Sequence, residues 1–246
     1  MELTQVYRQQ KEKEFIEILD AIRLAKAIDE HIARINHRVM TAETKDVHFQ
    51  ISLVPTNAMA QEINMVKLSS LPGLIKSFTG RVAGDFPEKI LPTAKELIVK
   101  EGAQIMNDPR GRWINGDLAK ILKVKNEVIR VIFEDGTFDD VVPYKWDRIQ
   151  FVFDEREGRI KSEIVASFIQ FPIKLAWAVT IHKGQGKTYE KVIIDFGLGT
   201  FAPGQAYVAL SRCTSLEGLF LRTPLESHHI FTDTRINEFM QRSLRH

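Results

Sequence analysis

The residues most suited to chemistry cluster in "IHKGQGKTYEKVIID", residues 181–195, which contains a Gly-Lys-Thr triplet. This triplet also ends the phosphate-binding loop G-x-x-x-x-G-K-[ST], which runs from a strand into a helix. Five positions before Gly186, however, this chain has Ile181 rather than glycine. Apolar residues recur at helical spacing through residues 173–184, and the β-branched run after the triplet predicts a buried strand. The predicted order of helix, loop and strand is the reverse of a phosphate-binding loop, and the glycine spacing argues against a self-contained P-loop kinase.

Composition excludes several classes of protein. The 246 residues are 44% hydrophobic and 27% charged, which is typical of a globular chain, and the net charge of +2 does not by itself indicate a nucleic-acid partner. A single cysteine, Cys213, excludes a disulfide scaffold, and we expect it to be a buried small residue rather than a catalytic thiol. No apolar run approaches the roughly 18 residues of a membrane span, and the N-terminus lacks a signal-peptide layout. We therefore expect an intracellular protein, cytoplasmic if bacterial, with no membrane partner.

The segments that must position the triplet show two kinds of pattern, one of helices with strands and one of short strands alone. Residues 11–37 predict one amphipathic helix, and residues 47–71 predict a strand followed by a helix, which suits a parallel sheet. Short strand-like runs with tight turns then replace the helical period, which is typical of a small antiparallel barrel or sheet. The simplest organisation is an α/β domain, residues 1–97 and 169–246, interrupted by an all-β insertion at residues 98–168.

The last part of the chain returns to helix and strand. A strand is predicted at "KVIID" and another at "LEGLFL", with a helix "PGQAYVALSRC" between them that has Pro203 at its first position. Asp233 is the predicted N-cap of a final helix. Two acidic strand ends, "FVFDE" and "VIFED", flank turns in the β-rich region, so we interpret them as solvated hairpin ends rather than a metal site.

Three segments taken together resemble a known family. They are "QVYRQ" at residues 5–9, "AWAVTIHKGQGKTYEKVIID" at residues 176–195, and "GQAYVALSRCTSLEGLFL" at residues 204–221. Their order and spacing are similar to the second motor half of a superfamily 1 DNA helicase of the PIF-one and RecD-like branch. The second segment resembles motif V, close to A-x-T-I-H-K-S-Q-G-x-T, with Gly184 in place of the usual serine and Lys187 in place of an apolar residue. The third contains Y-V-A-L-S-R, which matches motif VI residue for residue.

The resemblance implies a fold and a set of partners. The expected fold is α/β, a RecA-like parallel-sheet domain interrupted by a small antiparallel β-barrel of the Src-homology-3 type. The chain is then the C-terminal motor half of an ATP-dependent DNA helicase, with 5′→3′ polarity implied by the family. The family's N-terminal RecA-like domain, whose Walker A and Walker B motifs are not found in this sequence, would hold most of the ATP and Mg²⁺. The chain alone is therefore expected to be inactive.

The resemblance also implies which residues meet the nucleotide. Arg212 in motif VI corresponds to the arginine finger, and Arg8 corresponds to a second phosphate-facing arginine in motif IV. Arginine suits this role because its fork is always charged and can donate two parallel hydrogen bonds to a phosphoryl group. Gln185, Gly186 and Thr188 correspond to positions near the nucleotide.

The DNA contacts implied by the family lie at the other end of motif V. Thr180, His182 and Lys183 correspond to the side that faces single-stranded DNA, and such groups can bind phosphate oxygens without reading bases. Thr56 and Asn57 follow a predicted strand, where α/β folds place ligand contacts, although an ordinary helix cap at Asn57 is an equally good explanation. A solvated loop is the alternative for motif V. For the whole chain, the alternative is a single-stranded nucleic-acid-binding module without ATPase activity.

Overall fold

The computed structural model describes residues 12–41, 49–107, 117–154, 157–233 and 235. Arg8 and the segment "QVYRQ" lie outside the described residues, as does most of the predicted final helix. The chain divides into two compact units. One comprises Met1–Ile63 and Trp177–His246, and the other comprises Asn64–Ala176.

The described residues form the following helices and strands. The helices are α1 Lys13–Arg23, α2 Asp29–Asn36, α3 Asn57–Ser70 and α4 Gln205–Leu210, with short 3-10 helices at Glu88–Ile90 and Ser227–His229. The strands are β1 Ile51–Val54, β2 Lys76–Thr79, β3 Arg81–Gly84, β4 Glu96–Val99, β5 Gln104–Asn107, β6 Leu118–Val124, β7 Ile129–Phe133, β8 Phe138–Val141, β9 Tyr144–Asp154, β10 Arg159–Gln170, β11 Ile173–Leu175, β12 Ala178–Thr180, β13 Val192–Ile194 and β14 Leu219–Leu221. No helix within the described ranges combines the length and the apolar character that crossing a membrane requires.

The first unit is built on a four-stranded parallel sheet of order β12-β1-β13-β14. Every residue of β1, β12 and β13 is buried, which is expected of a parallel sheet whose two faces are both covered. The predicted unit of strand and helix is confirmed as β1 and α3, and the predicted strand "KVIID" is confirmed as β13.

The segment at residues 173–184 is not a helix, and this prediction was wrong. It contains β11, which pairs with β5, and β12, which pairs with β1. Because a buried parallel strand is apolar on both faces, a short apolar run can imitate helical spacing. The order around the Gly-Lys-Thr triplet is therefore strand, loop, strand. A phosphate-binding loop remains disfavoured, since it requires a helix after the triplet and a strand, β13, is found there.

Two other helix predictions need correction. The single helix expected over residues 11–37 is broken into α1 and α2, with Ala25 in the left-handed region at a φ of 52°. The sequence has no glycine or proline at this break. The apolar residue Ile28, which lies between the two helices, is 57% exposed. The helix expected to start at Pro203 begins instead at Gln205, because Gly204 is the left-handed N-cap and the Gln205 side chain accepts a hydrogen bond from the backbone of Phe201.

The second unit is mostly antiparallel. It contains a five-stranded sheet of order β11-β5-β6-β7-β8, a three-stranded sheet of order β3-β10-β9, and the pair β2-β4. The rings of Trp146 and Phe168 stack across β9 and β10 with centroids 5.7 Å apart. The turn between β6 and β7 is closed by a hydrogen bond from the Lys125 amide to Val128 O, at 2.9 Å. An α/β chain with one parallel sheet and a separate antiparallel region is thus confirmed.

Candidate functional site

Candidate ligand-binding residues gather where the parallel strands end. Val54 of β1 lies beside Thr180 of β12 in the sheet, so the segments that follow these two strands leave the same edge. In open α/β sheets, ligands bind outside the carboxyl ends of the strands. Thr56 and Asn57 follow β1, and the stretch after β12, here called the 181–188 loop, contains most of the predicted site.

The 181–188 loop is a series of tight turns. The amide of Gly184 donates to Thr180 O at 3.0 Å, that of Gln185 to His182 O at 3.1 Å, and that of Lys187 to Gly184 O at 3.2 Å. Gly186 has a φ of +79°, which glycine adopts without steric cost. These bonds give the loop a defined backbone, with Gln185, Gly186 and Thr188 at its exposed side.

Gly184 occupies a tighter place than its neighbours in the loop. A Cβ added there would lie 3.0 Å from Leu53 Cδ2 and 3.3 Å from Ile181 O. The serine that motif V usually carries would therefore need Leu53 to move by a few tenths of an ångström. Glycine at this position fits the packing of the loop onto β1.

The start of the 181–188 loop is joined to the start of α3. Lys183 Nζ donates to Asn57 Oδ1 at 3.2 Å, and both side chains are exposed, as is His182. Thr180 is 6% exposed, and its hydroxyl accepts a hydrogen bond from the Lys183 amide at 3.3 Å. The structure thus brings Asn57, His182 and Lys183 to one surface, while Thr180 supports the turn from within.

The N-cap of α3 is Thr56 rather than Asn57, where the sequence suggested a cap. The Thr56 hydroxyl accepts a hydrogen bond from the amide of Met59 at 3.2 Å, the usual geometry of an N-cap residue. Asn57 is the first residue of α3, and its side chain turns to Lys183 instead. Of the two residues, Asn57 is the one whose polar group faces the loop.

The 181–188 loop also reaches Arg212. Since β12 and β13 run parallel on either side of β1, the chain must return from the carboxyl end of β12 to the amino end of β13. Near the end of that return, Lys187 O accepts a hydrogen bond from Arg212 Nη1 at 3.4 Å. One loop therefore contacts Asn57 near its start and Arg212 near its end.

Arg212 is held by oxygen atoms of its own unit. Its Nε donates to Val208 O at 2.9 Å, and its Nη2 donates to Ser211 Oγ at 2.9 Å. The backbone is fixed as well, because the Tyr189 amide donates to Arg212 O at 2.9 Å. Val208 O, Ser211 Oγ and Lys187 O are neutral oxygen atoms, so their bonds orient the guanidinium without neutralising its charge.

Sequence reasoning overlooked two residues around Arg212. Ser211, within the matched motif VI, supplies a hydroxyl to the guanidinium, and its place in that motif was the available signal. Tyr189 is 8% exposed, and its hydroxyl has no hydrogen-bond partner among the described residues. Burial raises the pKa of Tyr189 to about 12, and the positive charge of Arg212 opposes that rise. The phenol is therefore a neutral, buried donor close to Arg212.

We expect Tyr189→Phe to stabilise the chain by about 1 kcal/mol, because an unpaired buried hydroxyl costs roughly 1–3 kcal/mol. The ring that fills the site is kept, so no cavity forms. Urea unfolding of the two proteins measures the difference, and Tyr189→Leu, which removes the ring, should lower stability. A loss of stability in the phenylalanine variant would show that the hydroxyl is hydrogen-bonded after all.

Among the described residues, the other candidates for catalysis or metal binding do not form a site. Cys213 is fully buried, and burial raises the pKa of its thiol, as expected of a packing residue. Within the described ranges, no group of three or more His, Cys, Asp or Glu side chains could hold a metal ion. The Asp195-Phe196-Gly197 sequence forms a local turn, in which Asp195 accepts the amide of Gly197 at 2.9 Å.

Comparison with known proteins gives a consistent result. No protein-family model matches the chain. The ATP-dependent DNA helicase PIF1 of Xenopus laevis is 33% identical over 234 residues, which are 89% of this chain and 34% of that protein. Two crystal structures of Pif1 from Bacteroides, one in complex with ADP-AlF4 and one bound to single-stranded DNA, superpose with TM-scores of 0.80 and 0.76. Each is 31% identical and covers 98% of this chain and 56% of its own.

The match covers most of this chain but only part of each relative. The chain spans 46% of the length of a Pif1 helicase of Bdellovibrio bacteriovorus and 34% of the Xenopus laevis protein. Motif V, motif VI and the parallel sheet that carries them all lie within the matched fold. The chain therefore belongs to the Pif1-like branch of the superfamily 1 DNA helicases, and it corresponds to one part of such a protein.

Proposed function

We propose that this chain is the C-terminal motor half of an ATP-dependent DNA helicase. The observation that carries the proposal is the 181–188 loop, which contacts Asn57 through Lys183 and Arg212 through Lys187 O. A motor must connect its DNA contact to its ATP site. Here one short loop contacts Asn57, at the predicted DNA surface, and Arg212, the predicted arginine finger. The likeness to Pif1 structures in complex with ADP-AlF4 and with single-stranded DNA supports a nucleotide and single-stranded DNA as the two ligands of such a motor.

The DNA-binding side of the proposal rests on exposed polar groups at the sheet edge. Lys183 supplies a positive charge, and His182 and Asn57 supply hydrogen-bonding groups beside it. Such groups bind the phosphates of single-stranded DNA irrespective of sequence. Thr180 shapes this surface through its bond to the Lys183 amide, and Thr56 does so by capping α3.

The nucleotide side of the proposal rests on Arg212. ATP and Mg²⁺ would be held mainly by an N-terminal RecA-like domain, and Arg212 would reach across to the γ-phosphate and stabilise charge in the transition state. Gln185, Gly186 and Thr188 would lie near the same phosphates. Arg8, assigned to this group by resemblance, stays a prediction.

The architecture of the proposal follows the two units. We assign the unit with the parallel sheet to a RecA-like motor domain. The antiparallel unit would be its inserted β-barrel of the Src-homology-3 type, for which sequence patterns gave residues 98–168, between motor segments 1–97 and 169–246. The single-stranded DNA partner, the 5′→3′ polarity and an intracellular location stay predictions.

The purified chain is expected to bind single-stranded DNA without hydrolysing ATP above background. Nothing in its sequence matches the Walker A and B motifs that cradle the β- and γ-phosphates with magnesium. A phosphate-release assay and a fluorescence titration with an oligonucleotide measure both properties. Turnover by the chain alone that is abolished in Lys187→Ala would revive the Gly-Lys-Thr triplet as a phosphate-binding loop and overturn the proposal.

A second measurement separates the motor from a DNA-binding module without ATPase activity. Here the complete helicase containing this chain is assayed for ATP turnover with and without single-stranded DNA. The motor reading requires turnover that rises with DNA. Tight DNA binding without any turnover would favour the binding module.

A further inference from the structure

Gly218, which directly precedes β14, has no room for a side chain. A Cβ added there would overlap the carbonyl oxygen of Glu190, and it would lie 3.0 Å from Glu190 C and 3.1 Å from Cys213 Sγ. Gly218 is buried and its φ is outside the left-handed region, so space rather than backbone conformation requires glycine here. The residue therefore marks a place where two stretches of backbone approach each other closely.

These two stretches of backbone are joined by hydrogen bonds that lead from Gly218 to Arg212. The Val192 amide donates to Gly218 O at 2.9 Å. Nearer to the arginine, the Tyr189 amide donates to Arg212 O at 2.9 Å, and the Thr214 amide donates to Tyr189 O at 3.1 Å. Gly218 thus lies at one end of a short backbone ladder, and Arg212 lies at the other end.

The side chain of Arg212 depends on the same backbone. Its Nη1 donates to Lys187 O at 3.4 Å, two residues before Tyr189. Cys213 directly follows Arg212, and its Sγ donates to Glu190 O at 3.6 Å. A shift of the backbone at Glu190 would therefore disturb both the bonds that fix the Arg212 backbone and an acceptor that orients its guanidinium.

We propose that Gly218 is a positioning residue for Arg212, because its missing side chain fixes the place from which the guanidinium acts on the nucleotide. This inference rests on the proposed role of Arg212 as the arginine finger. In Gly218→Ala, the backbone of Glu190 must move away by about 1 Å or more to relieve the overlap. Glu190 is bonded to Tyr189, so the displacement enters the hydrogen bonds that hold Arg212.

Gly218→Ala in the complete helicase should lower kcat about 100-fold at saturating ATP and single-stranded DNA, because a misplacement of about 1 Å can have an effect of this size. The KM for ATP should stay within about threefold and the Kd for single-stranded DNA within about twofold, since an arginine finger acts on charge that develops in the transition state. Steady-state turnover and an oligonucleotide titration measure these quantities, and circular dichroism with urea unfolding gives the folded fraction of each preparation.

Gly84 provides a matched control, since it also lies where two stretches of backbone meet closely. A Cβ added at Gly84 would overlap Val165 O and lie 3.0 Å from Ala166 Cα, within the antiparallel unit. Gly84→Ala should therefore lower the free energy of unfolding, as Gly218→Ala does, yet leave the kcat of the folded enzyme within about twofold.

A double-mutant cycle separates the positioning of Arg212 from a general loss of structure. If Gly218 acts through Arg212, Gly218→Ala should lower turnover by less than about threefold in the Arg212→Ala background. Ser215→Ala is a milder variant for the same cycle if Gly218→Ala does not fold, because it removes only the hydroxyl that accepts the Gly218 amide at 3.1 Å. It should lower kcat roughly threefold in the unaltered enzyme and leave turnover unchanged in the Arg212→Ala background.

Folded Gly218→Ala enzyme that keeps its kcat within about threefold would overturn the positioning role, as would an effect of equal size with and without Arg212. An equal loss of kcat in folded Gly84→Ala would also overturn it, since any crowded glycine would then produce the effect. Failure of the proposed function looks different. Arg212→Ala itself would then lower turnover by less than about tenfold, and the positioning role would fall together with the arginine finger.

Discussion

Replacing Arg212 with alanine in the complete helicase is expected to lower ATP turnover by about 10³-fold or more at saturating ATP and single-stranded DNA. As the proposed arginine finger, Arg212 would act on charge that develops on the γ-phosphoryl group in the transition state, so its loss should affect turnover rather than substrate binding. Affinity for single-stranded DNA should remain within about twofold. Steady-state turnover and an oligonucleotide titration on the same preparations measure the two effects.

Two further variants make the Arg212 result specific. Arg212→Lys keeps the positive charge and loses the planar fork, so it should recover only a small part of the activity. Arg23→Ala removes an exposed arginine of α1, paired with Asp20 at 3.0 Å, and should leave turnover unchanged. A fall of less than about tenfold in Arg212→Ala would show that this residue is not the arginine finger.

Local sequence patterns predicted an element correctly where the pattern fits only one kind of secondary structure. The run that becomes β13 is short, β-branched and buried, and residues 57–71 have the composition of a helix that follows a strand. The break between α1 and α2 had no such signal, because Ala25 adopts its left-handed conformation without a neighbouring glycine or proline.

The error at β12 has a different physical cause. Ala178, Val179 and Thr180 are all buried, and their hydrogen-bonding partner is β1, more than 120 residues earlier. Periodicity within the segment cannot reveal a partner so distant in sequence, and a strand buried on both faces loses the alternation that identifies strands.

The sequence could predict side chains of the candidate site but not its backbone contacts. The motif resemblance led to Lys183 and Arg212, and the structure places both on contacts of the 181–188 loop. The contact that joins the loop to Arg212 is a backbone carbonyl, Lys187 O, which any residue type would supply. Sequence cannot mark such an acceptor, because its position depends on the turns that precede it.

Replacing both His182 and Lys183 with alanine is expected to weaken single-stranded DNA binding about tenfold, equally for all base sequences, because phosphate contacts carry no sequence information. The salt dependence should become shallower as well. Loss of one lysine contact to a single strand lowers the slope of log K against log salt concentration by about 0.7. Titrations at several salt concentrations with two unrelated oligonucleotides measure both quantities.

In the complete helicase the same double variant should also reduce the stimulation of ATP turnover by DNA. The reason is structural, since the loop that carries His182 and Lys183 ends on Arg212 through Lys187 O. The control Lys26→Ala removes an exposed lysine between α1 and α2, and it should change neither the slope nor the stimulation. Asn57→Ala removes the acceptor that Lys183 Nζ contacts and keeps the charge, so it should weaken binding with the slope preserved. An unchanged affinity and an unchanged slope in the double variant would place the 181–188 loop away from DNA and make it an ordinary solvated loop.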